Sequence, residues 1–251
     1  MILTASPGLG LYTLLIVVVS VLSGSIAAVS GFGIGSLLTP VLAFQLDTRL
    51  AIAAVSIPHL IGTAQRFWVM HRHVDRKLLL EFGLPSAVGG LVGALFHGGL
   101  DNRGLTIVFG FLLLLTSIAE FTGWMRQAHW DRHIGWVAGA ASGFLGGLVG
   151  NQGSIRTAGL LAFQVSPTAF VATATAVALI VDAARIPVYV ATQGKELAAL
   201  WPLLTVATAG VVVGTSIGIR ILPILRATTF RRSVAVLLAA LGISMLIASF
   251  R

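Results

Sequence analysis

Ten apolar stretches follow one another along the chain, separated by short segments that carry most of its charges. They lie at roughly 11–30, 34–46, 49–70, 79–97, 104–122, 134–149, 153–165, 168–190, 198–218 and 230–249. Because about 20 apolar residues span a bilayer as an α-helix, most of these stretches predict transmembrane helices. Stretches 34–46 and 153–165 are too short to cross comfortably, and we interpret them as half-helices.

Each half-helix follows a glycine-rich break, at residues 30–36 and at residues 146–154. Lipid cannot satisfy the N–H and C=O groups of backbone that leaves the helix at membrane depth. Such backbone must line a cavity or be buried in protein. Both breaks are therefore candidate functional elements.

The chain contains an internal repeat, because residues 20–78 align with residues 139–197 at a constant offset of 119. Fourteen of the 59 aligned positions are identical, including a shared Leu-Ala-Phe-Gln segment and the pair Arg66 and Arg185. In membrane proteins such duplication commonly builds a transporter whose substrate site lies where the halves meet. We predict two repeats, residues 1–124 and 125–251.

The distribution of Arg and Lys tests how the two repeats are oriented. If each first helix and half-helix form a re-entrant hairpin or two full crossings, nine cations share one side of the membrane and four the other. The nine are Arg72, Arg76, Lys77, Arg126, Arg132, Arg220, Arg226, Arg231 and Arg232, and the four are Arg49, Arg103, Lys195 and Arg251. If each first helix and its half-helix together cross the membrane once, seven cations lie on one side and six on the other. The larger bias fits the positive-inside rule, so we predict that the repeats are inverted and that both termini lie outside.

Composition narrows the class of protein. With 57% hydrophobic and 10% charged residues, the chain lacks the polar surface of a soluble globule and predicts an integral membrane protein in contact with lipid. The net charge of +8 comes from Arg and Lys residues beside the apolar segments. We interpret these residues as a topology signal and as contacts with anionic lipid, rather than as a nucleic-acid binding surface. The chain has no cysteine, Glu-x-x-His pair or Walker loop, so we predict no cofactor, no metal site and no ATP-driven pump.

The first break, Gly31-Phe32-Gly33-Ile34-Gly35-Ser36-Leu37-Leu38-Thr39-Pro40, its degenerate second copy Gly150-Asn151-Gln152-Gly153-Ser154 and the two-fold layout resemble the TauE/SafE sulfite exporter family. The resemblance covers nearly the whole chain. It implies export of small sulfur-containing anions, such as sulfite or organosulfonates, across the bacterial inner membrane. The second copy departs from the first, with Gly159 at the position of Pro40 and Asn151-Gln152 at that of Phe32-Gly33.

The breaks also predict an anion site on physical grounds. The N-terminus of a half-helix presents free N–H groups and the positive end of its dipole, and neighbouring hydroxyls add donors. The alternative is close helix packing, which is our interpretation of Gly89, Gly93, Gly210 and Gly214. The substrate-binding candidates on the breaks are Gly31, Gly33, Gly35, Ser36, Asn151, Gln152, Gly153 and Ser154.

Charged residues inside the apolar stretches cost free energy on insertion, which makes Arg66, Arg156 and Arg185 further substrate-binding candidates. Asp182 lies three residues before Arg185 and shares its helix face, as a charge partner. The alternative role of Arg185 is a structural salt bridge. The alternative for Arg66 is an interfacial position, with its side chain snorkelling to the membrane surface. His59 is a candidate proton carrier, or else a buried imidazole bonded to a backbone carbonyl.

We therefore predict an all-α polytopic membrane protein with two inverted repeats, each a glycine-broken helical hairpin plus three transmembrane helices. We expect a secondary transporter of a small sulfur-containing anion, with protons as the candidate coupling ion. An anion channel or a permease for thiosulfate or sulfate is the alternative. A structural subunit would leave the embedded arginines unexplained. An intramembrane enzyme would have only His59 and Asp182 as a poor acid–base pair.

Overall fold

The computed structural model describes residues 7–124, 132–161, 163, 166–221 and 227–250. All regular structure in these residues is helical. The helices are α1 (Pro7–Ser30), α2 (Ile34–Leu42), α3 (Thr48–Met70), α4 (Arg76–Leu78), α5 (Leu84–His97), α6 (Asn102–Thr122), α7 (Arg132–Val149), α8 (Gly153–Leu161), α9 (Pro167–Ala199), α10 (Trp201–Ile221) and α11 (Ala227–Ser249). A 3-10 turn (His71–His73) follows α3, and a π-helical turn (Leu79–Gly83) joins α4 to α5.

Six helical spans in the described residues are long and apolar enough to cross a membrane: Gly10–Ser30, Arg76–His97, Asn102–Thr122, Thr168–Ala199, Trp201–Ile221 and Arg232–Ser249. Helix α3 has a comparable length, 23 residues, but carries more polar side chains. The prediction of an all-α, multi-pass membrane protein is confirmed.

The two half-helices are confirmed as well. Helices α2 and α8 have 9 residues each, which at 1.5 Å per residue is about 13 Å and too short for a bilayer core of about 30 Å. The helix before each of them is followed directly by a glycine in the left-handed region, Gly31 with φ 84° and Gly150 with φ 73°. Only glycine adopts this conformation without strain, so these residues stop α1 and α7 where they do.

Helix α9 is longer than the apolar stretch 168–190 predicts. It begins at an N-cap, Ser166, whose hydroxyl accepts the N–H of Ala169, and continues to Ala199 across a kink at Gln193 (φ −134°, ψ 20°). The predicted boundary after residue 190 is therefore wrong. The reason is that a helix can continue through polar residues beyond its apolar span.

Helices of the first half pack against helices of the second. Helix α1 packs against α10, α5 against α7, α3 against α9 and α6 against α11. Glycines make the first two contacts close: a Cβ built on Gly93 would lie 2.0 Å from the carbonyl oxygen of Phe144, and one on Gly214 would lie 2.0 Å from that of Val21. The packing role predicted for these glycines is thus confirmed.

Contacting residues show how the paired helices run. Along α3 and α9 the order is reversed, because His59 meets Asp182 whereas the later Arg66 meets the earlier Thr175. Helices α6 and α11 are also antiparallel, since the α6 residues Gly110 and Ser117 meet Gly242 and Ala235 of α11 respectively.

The two halves are interleaved, and their contacts place both breaks in the interior of the helical bundle. The division at residue 124 and the inverted orientation in the membrane stay predictions. Of the 13 cations in the charge count, Arg126, Arg226 and Arg251 lie outside the described residues, as do the side chains of Arg132 and Arg231.

Candidate functional site at the two helix breaks

The two glycine breaks meet each other. A Cβ built on Gly35, at the start of α2, would lie 2.4 Å from the carbonyl oxygen of Gly150 in the second break. A Cβ on Gly153, at the start of α8, would lie 2.4 Å from Cβ of Phe32 in the first. The Ser36 hydroxyl donates to Oδ1 of Asn151 at 3.3 Å. The two breaks, which are equivalent in the repeat, thus contact each other between the halves.

Arg156 links the breaks and keeps one donor group free. Its Nη2 donates to the carbonyl oxygen of Gly31 at 2.7 Å, although 125 residues separate them. The side chain is buried, and its Nη1 has no partner among the residues that the structure describes. In the same part of the chain, Nδ2 of Asn151 and Oε1 of Gln152 are also buried and unpartnered.

Unpartnered buried polar atoms are rare in folded proteins, because each costs about 1–3 kcal/mol and more when it is charged. Here a guanidinium and an amide donor of this kind lie on adjoining turns of the second break. The arrangement can bind a group with several acceptor oxygens, and an anion would also compensate the charge of Arg156.

The aligned arginines make equivalent hydrogen bonds. Arg66 Nη1 donates to the carbonyl oxygen of Ala27, and Arg185 Nη1 donates to that of Gly146 at 2.8 Å. Ala27 and Gly146 are themselves equivalent in the repeat. Each guanidinium therefore reaches the C-terminal end of the helix before its own break, where the helix dipole favours a cation.

The remaining partners of these two arginines differ. Arg66 Nε donates to the hydroxyl of Thr175 at 3.0 Å, whereas Arg185 donates to Oδ1 of Asp182 from Nε at 2.9 Å and from Nη2 at 2.8 Å. The predicted pairing of Arg185 with Asp182 is present. Arg66 is buried, so its alternative placement as a snorkelling interfacial side chain is wrong.

His59 bonds a carboxylate rather than a backbone carbonyl. Its Nδ1 lies 2.7 Å from Oδ2 of Asp182, across the contact between α3 and α9. The alternative assignment to a carbonyl is therefore wrong. Asp182 is fully buried, whereas 13% of the His59 side chain is exposed, so the histidine is the more accessible member of the pair.

The charged groups buried around the two breaks, here called the charged core, carry more positive than negative charge. Arg66, Arg156 and Arg185 contribute three positive charges and Asp182 one negative charge, which leaves +2 when His59 is neutral. Burying an uncompensated charge is costly, and the surplus favours an anion at the site.

The other predicted residues have the following surroundings. Gly33, with φ 141°, packs on Ile26 of α1 and precedes α2 as an N-cap without a side chain. The backbone of Ser154 lies in the first turn of α8, and its side chain is outside the described part of the protein. The hydroxyl of Thr157, one turn into α8, donates to the carbonyl oxygen of Gly153.

Sequence reasoning missed three polar residues beside the second break. Tyr189 donates its hydroxyl to the carbonyl oxygen of Gly147, and His97 Nδ1 donates to that of Leu148 at 2.8 Å. Gln193 Nε2 lies 3.4 Å from Nε2 of His97. For Tyr189 and Gln193 a signal did exist in the sequence. The polar residues 182, 185, 189 and 193 recur every three to four positions and therefore share one face of α9.

Two large cavities lie away from this site. One of about 660 Å³ is lined by apolar residues of α5 and α7, including Trp136 of α7, and one of about 590 Å³ is lined by residues of α3, α9 and α10. Neither includes a predicted site residue. Both are open apolar grooves, whereas most of the predicted site residues that the structure describes are buried.

A comparison with protein families finds a match for this chain. A family model described as "Sulfite exporter TauE/SafE" matches residues 16–245, nearly the whole chain. No curated protein and no solved structure matches the chain. The matched region contains both breaks and all the buried charges described above.

Proposed function

Because the chain belongs to the sulfite exporter TauE/SafE family, a family of membrane transporters, we propose that it is a secondary transporter of a small sulfur-containing anion. The substrate is sulfite or an organosulfonate, the membrane is the bacterial inner membrane, and the direction is export. The observation that carries the proposal is the core charge of +2, with a buried guanidinium nitrogen of Arg156 left unpartnered among the described residues.

The anion binds where the two breaks meet. Sulfite and sulfonates present three oxygen atoms that accept hydrogen bonds, and Arg156 Nη1 and Asn151 Nδ2 supply two donors. The N–H groups in the first turns of α2 and α8, including those of Gly35 and Gly153, add the positive ends of two helix dipoles. Arg66 and Arg185 hold the adjoining helix ends and contribute long-range positive charge.

Protons are the coupling ion in this proposal, and His59 is their site. The imidazole contacts Asp182 and is partly exposed, and a second proton on it would raise the core charge from +2 to +3. More positive charge favours a bound anion, so the proton and the anion would bind cooperatively at one centre.

Inverted repeats would let this centre open to either side. The antiparallel runs of α3 against α9 and of α6 against α11 support this, because equivalent helices of inverted repeats point in opposite directions. The two halves could then exchange conformations around a fixed site.

A flux assay in proteoliposomes tests the proposal. We expect purified protein to move sulfite and at least one sulfonate, and Arg156→Gln to reduce flux at subsaturating sulfite about tenfold or more, since a charged hydrogen bond is lost. Arg156→Lys keeps the charge but loses the forked pair of donors, so its flux should lie between those of wild type and Arg156→Gln. Arg103→Gln, at an exposed arginine, is the matched control. Wild-type protein that moves no sulfur oxyanion contradicts the proposal.

The same vesicles distinguish a coupled transporter from a channel. Flux that accumulates sulfite when a pH gradient is imposed indicates coupling, and His59→Gln should abolish the accumulation but not the downhill flux. Flux that only follows the sulfite gradient and membrane potential favours the channel. Thiosulfate and sulfate are added as competitors of sulfite in both assays, because each is a candidate for the alternative substrate.

A further inference from the structure

Three consecutive carbonyl oxygens at the end of α7 each accept a hydrogen bond from a different side chain. Gly146 accepts from Arg185, Gly147 from Tyr189 and Leu148 from His97. The last four carbonyls of an α-helix have no partner within the helix. The Gly146 carbonyl also accepts the N–H of Gly150, so the helix end just before the second break is held from α9 and from α5.

Tyr189, His97 and Gln193 form a contiguous buried cluster. The rings of His97 and Tyr189 have centroids 4.7 Å apart, and the Arg185 guanidinium carbon lies 5.8 Å from the Tyr189 ring centroid. His97 Nδ1 must carry a proton to donate to a carbonyl, so in the neutral imidazole Nε2 is the acceptor that faces the Gln193 amide. The kink of α9 lies at Gln193, the residue that makes this contact.

The first break lacks this arrangement. Met70 aligns with Tyr189 and has no group that can donate a hydrogen bond. The polar residues differ in the same sense, because the second break carries Asn151 and Arg156 where the first carries Phe32 and Leu37. The break that carries the unpartnered donors of Asn151 and Arg156 is thus the one whose preceding helix end is held by three side chains.

We propose that Tyr189 and His97 are positioning residues for the anion site. They fix the end of α7, from which Gly150 turns the chain so that Asn151, and Arg156 one turn into α8, face the substrate. The inference rests on the proposed transport function, since it assigns the two residues to the same site. Neither side chain needs to touch the anion: each acts through the backbone it holds.

Substrate affinity and folding stability are measured separately to test this. In proteoliposomes, Tyr189→Phe should raise the KM for sulfite about tenfold, because one buried hydrogen bond is lost. His97→Leu should do the same. His97→Asn keeps an N–H close to the position of Nδ1 and should return the KM to within about threefold of wild type. Thr192→Val is the control, since this exposed hydroxyl bonds only to its own helix.

The melting temperature of each variant separates positioning from a structural role. Tyr189→Phe and His97→Leu proteins with lowered melting temperatures and a wild-type KM overturn the inference and leave the proposed function intact. If His97→Leu does not fold, Tyr189→Phe decides, because it removes a single oxygen atom. Wild-type protein without transport overturns the proposed function and this inference with it.

Discussion

At the scale of single residues, the three buried arginines have different partners. Arg185 is bonded to a carboxylate and a carbonyl, Arg66 to a hydroxyl and a carbonyl, and Arg156 to a carbonyl only, with Nη1 unpartnered in the described part of the chain. Arg156 is therefore the cation with most capacity for an added anion. Arg66 and Arg185 hold the ends of helices.

The contact of Arg185 with Asp182 gives a prediction about stability. Arg185→Met leaves a fully buried carboxylate with His59 as its remaining partner, which should destabilise the fold by about 3–5 kcal/mol. Adding Asp182→Asn removes the orphaned charge, so the double variant should recover a large part of that loss. The melting temperature of detergent-solubilised protein measures both. Arg103→Met is the control, and a double variant no more stable than the single one contradicts the prediction.

The repeat alignment identified Arg66 and Arg185 as a pair from the sequence, and their equivalent bonds to Ala27 and Gly146 agree with it. The roles of Tyr189 and His97 could not be predicted in this way. Tyr189 aligns with Met70, and His97 lies 51 residues from the carbonyl it binds, so only the packing of α5 against α7 brings donor and acceptor together.

At the scale of elements, the two half-helices depend on each other through their breaks. Gly35 lies so close to the carbonyl oxygen of Gly150 that position 35 has no room for a side chain. Movement of α2 must therefore displace the second break as well. This contact couples the two halves at the point where the proposed anion binds.

Gly35→Ala tests this contact. The added methyl group would lie 2.4 Å from the Gly150 carbonyl oxygen, so α2 must shift, at a cost of about 1–3 kcal/mol. We expect a lower melting temperature and loss of sulfite flux. Gly10→Ala, in α1 with nothing within 4 Å of the new atom, should leave both unchanged. Equal behaviour of the two variants would show that the breaks do not touch in the membrane.

At the scale of the whole molecule, each half completes the packing of the other. Helices α1 and α5 of the first half are covered by α10 and α7 of the second, so neither half forms a separate core. The proposed inversion of the halves gives such interleaving a function, because it builds one site that either side of the membrane can reach.

Accessibility labelling tests the inverted topology, and the chain contains no natural cysteine to interfere. Single cysteines at Asp47 and Lys195 should react with a membrane-impermeant thiol reagent from outside, and those at His73 and Arg232 from the cytoplasm. All four positions are exposed, whereas Gln193 is buried against His97 and would label poorly. Labelling of His73→Cys and Arg232→Cys from opposite sides would refute the inversion.

The sequence by itself determined the class of protein, the positions of most helices and the two breaks. These follow from local rules: lipid requires long apolar helices, and glycine permits the left-handed turn at Gly31 and Gly150. The tertiary structure decided which donor meets which acceptor. Arg156 and Gly31 are 125 residues apart, and His59 and Asp182 are 123 apart, so their contacts depend on how helices from both halves pack. No local pattern encodes that packing, because a buried side chain is partnered by whatever the neighbouring helix presents.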